Sequence, residues 1–322
     1  MRLLLHHPAK GFQRDVAPRR ISDLRRDPQT LIWLDVEAPT PEEWALLRRE
    51  FGFHPLALED AEHAHQRPKI EQYNDFYLLV VYAVSLDGEE GSLVTTREVT
   101  LFIGSNYLVT VHSDPVPVIQ EVAARWQAKD TPIRPGISPL LYTLLDAAVD
   151  DYFPVVDELG DRIDDLEDRI LAEADDGGLQ AVFRMKRALL ALRRILGPER
   201  DAVNVLMRRE LPFVDAESIL YFQDVYDHLV RLTDSVDTFR DILASTLDAH
   251  LSVVSNRLNQ VMRTLTAISA VLMSMALIAG IYGMNFRFIP ELSWRYGYYL
   301  SLGMMALIGL VLAYFFRRKG WW

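Results

Sequence analysis

The sequence predicts an α/β domain (a mixed sheet with flanking helices) on the cytoplasmic side of a membrane, then a long stalk helix and two C-terminal transmembrane helices. Three observations predict this. Charged residues crowd into the first 263 positions, the apolar period becomes helical after Pro139 and stays so, and two uncharged runs, 265–281 and 297–316, close the chain. Each run approaches or meets the length of about 20 residues that a bilayer requires.

The mixed part begins with the apolar run Leu31-Ile32-Trp33-Leu34, which reads as a buried strand. A punctuated helix follows: Thr40 as N-cap, Pro41 at the first helical position, Glu43 completing a capping box, and Gly52 at the end. Three further strands are expected over 76–86, 93–103 and 107–112, separated by Asp87-Gly88 and Gly104-Ser105-Asn106 turns, as a meander in a larger sheet.

After Pro139, apolar residues from Leu141 to Ile170 step by threes and fours, the pattern of a coiled-coil seam. Asp175-Asp176-Gly177-Gly178 breaks it, a second helix carries the basic stretch from Arg184 to Arg194, and Gly197-Pro198 marks a break or kink. The strongly acidic stretch 146–176 reads as a solvated face balanced by that basic helix. His63 and His65, at i and i+2, do not share a helix face and read as structural histidines.

A third helix is expected from near Asp215, with no proline or glycine until Gly280, so one helix of about 100 Å is allowed. The resulting divisions are an N-terminal α/β domain over 1–137, a helical hairpin over 138–212, a stalk over 213–262 and a first span over 263–284. An outer loop over 285–296, a second span over 297–316 and a basic tail over 317–322 complete the chain. Arg257 and Arg263 precede the first span and Arg317, Arg318 and Lys319 follow the second, so the positive-inside rule puts both termini in the cytoplasm. The opening Met1-Arg2-Leu3-Leu4-Leu5 turns polar at His6, too short an apolar run for a secretory signal. The expected location is the plasma (inner) membrane, with two passes.

A net charge of −11 argues against a nucleic-acid partner and permits cations. With no cysteine, disulfides and thiol chemistry are excluded. No Gly-rich phosphate loop, His-Glu-x-x-His helix or Gly-x-Ser-x-Gly elbow is present, so no enzyme and no organic cofactor are expected.

Two helices of one chain cannot enclose a water-filled path, so a pore needs several copies around an axis. On the first span, Asn259, Met262, Ser269, Met273, Ala276 and Gly280 recur at helical spacing, a face suited to line such a pore and suited equally to close helix packing. Beyond it, Tyr282-Gly283-Met284-Asn285-Phe286 offers backbone carbonyls and one amide, neutral oxygens that can hydrogen-bond to the waters of Mg2+ without stripping them. Asn285 fits a C-cap as well.

Tyr282-Gly283-Met284-Asn285 before a final hairpin of two spans resembles the signature of the CorA magnesium transporter family. Ile289-Pro290-Glu291-Leu292, the segment 256–262, His54-Pro55-Leu56 with Glu59-Asp60, Gln66-Arg67-Pro68-Lys69-Ile70-Glu71 and the segment 146–152 extend the resemblance. It implies a funnel-shaped homopentamer that carries mainly Mg2+, with Co2+ and Ni2+ as further candidates, driven by the membrane potential. By motif position, Gly283, Met284 and Asn285 form the selectivity ring, Asn259 a polar ring at the cytoplasmic end, and Met262, Leu265 and Met273 a hydrophobic gate. The resemblance also implies regulatory Mg2+ between subunits, with Asp248 supplying one carboxylate and Asp87, ahead of Glu89 and Glu90, the expected partner. Where some relatives carry an acid after this motif the chain has Arg287, which leaves Glu291 as the main acid of the outer loop. A proton-coupled zinc transporter of the ZntB type is the alternative, and a transport-dead scaffold is the alternative from another class.

Overall fold

The structure is a computed structural model that describes residues 1–14, 21–86, 93–128, 134–172, 176–208, 211–285, 287, 289 and 294–321. It divides into two compact units, Met1–Arg169 with Asp175–Ser245, and Ile170–Ala174 with Thr246–Trp322.

The first unit is built on seven strands: β1 (Arg2–His7), β2 (Gly11–Arg14), β3 (Leu31–Glu37), β4 (Lys69–Gln72), β5 (Tyr77–Ser85), β6 (Thr95–Ile103) and β7 (Tyr107–His112). Their order is β2-β1-β3-β7-β6-β5-β4. Among the described strands only the β3–β7 pair is parallel, so the sheet is mixed; β5, β6 and β7 are the expected meander, and β4 extends it at the edge. Alternate side chains fill two layers, because successive residues of a strand point to opposite faces. One face sets Leu3, Leu5, Ile32, Leu34, Phe102 and Val109 against α1 (Ile21–Arg25), α2 (Pro41–Phe51) and α3 (Pro55–Glu62). The other meets α4 (Pro117–Trp126) and α5 (Ile137–Asp150), with the Trp33 and Trp126 rings edge-on at 5.8 Å. Coverage on both faces leaves β7 buried from end to end.

Helix α2 has the expected caps. Thr40 accepts the Glu43 N–H while the Glu43 side chain accepts the Thr40 N–H, and Gly52 closes the helix at φ 70°, a conformation that favours glycine. The apolar start of the chain, read above only as too short for a signal, is β1, with Leu3, Leu4 and Leu5 buried.

Two helical expectations are corrected. The single seam from Leu141 to Ile170 is divided between α5 and α6 (Tyr152–Ala172), with Asp151 as the C-cap of α5. Gly197-Pro198 makes no break, since α7 (Asp176–Arg208) runs through Pro198. Asp176, Gly177 and Gly178 belong to the start of that helix. The third helix begins near Asp215 as expected: α8 is Ser218–Tyr282, 65 residues, and Asp215 just precedes it, accepting the Ser218 N–H at 2.7 Å.

The residue beside Pro198 explains how that helix is held. Glu199 is buried where α7 packs against β4 and β5; its Oε1 accepts the Tyr82 N–H at 2.6 Å and its Oε2 lies 3.0 Å from the Tyr152 hydroxyl. That hydroxyl also lies 3.1 Å from the Tyr82 carbonyl. One phenol proton cannot serve two acceptors, so the network closes when Tyr152 donates to the carbonyl and a protonated Glu199 donates to Tyr152. Burial pushes the Glu199 carboxyl from its usual 4.5 up to about 8.

With the folded value raised, this group favours the folded state fully below about pH 4.5, and the contribution is lost as pH rises through about 8. Glu199→Gln keeps an acceptor and a donor and removes the titration. Thermal midpoints of variant and wild type should agree at about pH 5, with the variant melting several degrees higher at about pH 9. An identical pH dependence in both proteins contradicts the assignment.

Candidate ion pathway

The second unit holds the C-terminal part of α8 and the helix α9 (Gly297–Arg318). Both are long and apolar enough to cross a membrane. Helix α9 covers one side of α8. An added Cβ at Gly309 would stand 3.7 Å from Met275 Sδ and 4.0 Å from Val271 Cγ1, and Ala267 is wholly buried. After α9 the chain folds back: Trp321 stacks on Phe316 at 5.2 Å, and its carbonyl lies 3.0 Å from Thr264 Oγ1.

At about 100° per residue, Met262, Leu265, Ser269, Met273, Ala276 and Gly280 fall within about 80° of one another, with Asn259 about 60° to one side. Val271 and Met275 lie roughly opposite. The candidate face therefore points away from α9. Met262 is 51%, Leu265 55% and Met273 71% exposed, and Asn259, Ser269, Ala276 and Gly280 are exposed with them.

Hydroxyls of this helix divide in two groups. Thr266 and Ser274 donate to the carbonyls of Met262 and Ala270, each at 2.7 Å. Ser269 makes no hydrogen bond with any described residue, and neither do the amides of Asn259 and Asn285. A polar group in hydrocarbon without a partner is costly, so Ser269, inside the expected span, calls for water, an ion's hydration shell or a neighbouring chain, while Asn259 and Asn285 stand at its two ends.

The helix ends where the neutral oxygens begin. The Gly283 N–H donates to the Ala279 carbonyl at 2.9 Å and the Met284 N–H to that of Ile281 at 3.3 Å. A Cβ on Gly283 would meet the Ala279 oxygen at 3.0 Å, so this tight closing turn favours glycine. Asn285 is exposed, and its φ is not positive, so it is not the left-handed C-cap. From 265 to 285 no side chain carries charge, and the next charge among the described residues is Arg287.

Asp248 is exposed on α8. Its expected partner Asp87, the neighbouring Glu89 and Glu90, and the loop acid Glu291 lie outside the described residues. The acidic stretch from Asp146 is not a uniformly solvated face. Asp146 is half-buried, and burial, then the charge of Asp150, raises its carboxyl above the usual range. Asp146, Asp150 and His228 bring ligand-type atoms within 4.8 Å of one another in the first unit, a juxtaposition of α5 and α8 that their sequence separation hides.

Residues 28–318 match the family described as CorA-like Mg2+ transporter protein. The chain belongs to this family. It is 36% identical over 298 residues to the cobalt/magnesium transport protein CorA of Thermotoga maritima, covering 92% of this chain and 85% of the relative. The complete structure of the CorA magnesium transporter from Methanocaldococcus jannaschii superposes with a TM-score of 0.86 at 27% identity, covering 100% of this chain and 99% of that one. The cytoplasmic domain of ZntB from Vibrio parahaemolyticus aligns with a TM-score of 0.59 at 12% identity, over 80% of this chain and 98% of that one, a likeness of fold alone. Membership makes this a membrane transport protein of the CorA architecture: a mixed-sheet domain, a long helix and two C-terminal apolar helices.

Proposed function

We propose that several copies of the chain, five by family resemblance, surround an ion path lined by the α8 face from Asn259 to Gly280, through which Mg2+ enters the cell. The observation that carries this reading is the exposed, uncharged α8 face leading to Gly283-Met284-Asn285. The family relative named as a cobalt/magnesium transport protein supports Mg2+ as cargo, with Co2+ and Ni2+ as further candidates.

In this reading Gly283, Met284 and Asn285 form a ring at the outer mouth that holds a hydrated ion. Mg2+ gives up its water reluctantly, so carbonyl and amide oxygens placed to accept from that water select it without dehydrating it. Met262, Leu265 and Met273 form an apolar constriction that closes by dewetting. Asn259 offers the ion polar contact at the inner end. Both termini lie in the cytoplasm of a cell whose plasma membrane the chain crosses twice. An inside-negative potential then supplies about 2.3 kcal/mol per charge per 100 mV, about twice that for a divalent ion. Arg287 adds a positive charge beyond the ring, which leaves Glu291 as the main acid of the outer loop.

Cytoplasmic Mg2+ regulates the path in the same reading. Asp248 faces a carboxylate of a neighbouring copy, for which Asp87 is the first candidate, and the pair repels unless a divalent ion sits between them.

Liposomes holding the purified protein test the path. With an inside-negative potential, Mg2+ influx is expected, and Asn285→Ala should cut it at least about tenfold, as the loss of one selective contact of about 1.4 kcal/mol does. Zinc flux that requires a proton gradient instead would make the protein a proton-coupled exporter or importer, and no flux of any ion would make it a scaffold. Asp248→Asn should raise the internal Mg2+ concentration that half-inhibits influx by several fold; unchanged inhibition excludes Asp248 from the regulatory site.

A further inference from the structure

Two sequence features play no part in the ion path: the Gln66-Arg67-Pro68 segment and the basic stretch that ends at Arg194. In the first unit they line one cleft of about 700 Å3. Arg67 enters from the segment before β4, and Arg193 and Arg194 enter from α7. No Asp or Glu is among the described residues that line it, in a chain whose net charge is −11.

The three guanidiniums are not equivalent. Arg193 Nε is bound to Asp237 Oδ1 at 2.6 Å. Arg67 and Arg194 are exposed and make no hydrogen bond or ion pair with any described residue. The neighbouring Lys69 shows the contrast, held by Asp60 at 2.7 Å and Glu71 at 2.9 Å. Among the described residues Arg67 and Arg194 thus have no counter-charge, while the carboxylates of Glu98 and Asp237 are bonded to other residues that line the cleft.

The root of Arg67 is fixed in place. Glu98 Oε2 accepts the N–H groups of His65 and Gln66 at 2.6 and 2.8 Å, and the Tyr82 hydroxyl lies 2.6 Å from the Gln66 carbonyl and 3.0 Å from Glu98 Oε2. His65 is held at φ 86°, a conformation that a residue with a side chain rarely adopts. The remaining wall is largely apolar, with Ile195, Pro198 and the Tyr82 ring.

We propose that this cleft is a binding site for a polyphosphate group, of a size that admits a nucleoside triphosphate. Guanidiniums bind phosphate oxygens through paired, charge-assisted hydrogen bonds, and two of them rooted on different elements match a ligand whose charge is spread along a chain of phosphates. The volume lies within the range of about 300–1,000 Å3 typical of small-molecule sites, and the apolar wall can receive a base. The proposal concerns binding alone and holds or fails independently of what the membrane part transports.

Calorimetric titration of the full-length protein in detergent, with EDTA present so that metal sites stay empty, tests it with two probes, sodium tripolyphosphate and ATP. One site per chain is expected for either probe or both. Arg67→Ala and Arg194→Ala should each weaken it at least about tenfold, and Arg194→Lys should fall between. Arg26→Ala, at an exposed position away from the cleft, should leave it unchanged. Tighter binding of ATP than of tripolyphosphate supports the proposal and assigns the apolar wall to the base; equal affinity supports it with phosphate recognition alone. No binding of either probe overturns it, as does binding that survives both alanine substitutions. If one variant elutes as aggregate, the other decides.

Discussion

The membrane part depends on one constraint: hydrocarbon leaves no polar group unanswered. The second half of α8 obeys it almost everywhere, with its backbone bonded within the helix and Thr266 and Ser274 bonded back onto carbonyls. Within the span the exception among the described residues is Ser269, on the face turned away from α9, with Asn259 and Asn285 at the two ends of that face. Among the described residues of one chain nothing covers that face, because the other apolar helix covers the opposite side through Gly309 and Ala267. The requirement for further copies therefore arises from the geometry of one chain, and the family relationship agrees with it.

Charge placement follows the same logic. No side chain between Arg263 and Arg287 is ionised, so in the proposed path a divalent ion would meet dipoles and its own waters instead of carboxylates that would hold it. Carboxylates gather in the other unit, where water screens them or where, as at Glu199, burial keeps one protonated as part of the packing. The first unit is thereby stabilised by an apolar sheet covered on both faces and tuned by a few buried polar groups.

Much of this was legible in the sequence, for identifiable reasons. Thr40, Pro41, Glu43 and Gly52 act within one helix, so local chemistry located α2 without tertiary information. The spans were legible because a bilayer imposes length and apolarity on the sequence itself. Of the break or kink expected at Gly197-Pro198 the break does not occur: a proline inside a helix costs it one hydrogen bond and a clash, a penalty that packing on β4 and β5 outweighs. Strand β1 was hidden because Leu3, Leu4 and Leu5 are buried on both faces and show no alternation. The contact of Glu199 with Tyr82 and Tyr152, and the meeting of Arg67 with Arg194, join segments far apart in the chain, and no local pattern signals them. For the ion path, spacing alone could not choose between lining a pore and packing helices; the position of α9 excludes packing of this face against the chain's own second apolar helix and leaves water, an ion or another copy.

The claim that the face of α8 opposite α9 meets other copies is the center of the account, and the absence of native cysteine makes it directly testable. Met273→Cys and Met275→Cys place single thiols on opposite sides of the same turn. Under mild oxidation in native membranes, Met273→Cys should form disulfide-linked pairs of chains, while Met275→Cys, beneath Gly309, should remain monomeric on a denaturing gel. Pairs formed through Met275→Cys and not through Met273→Cys would contradict the account.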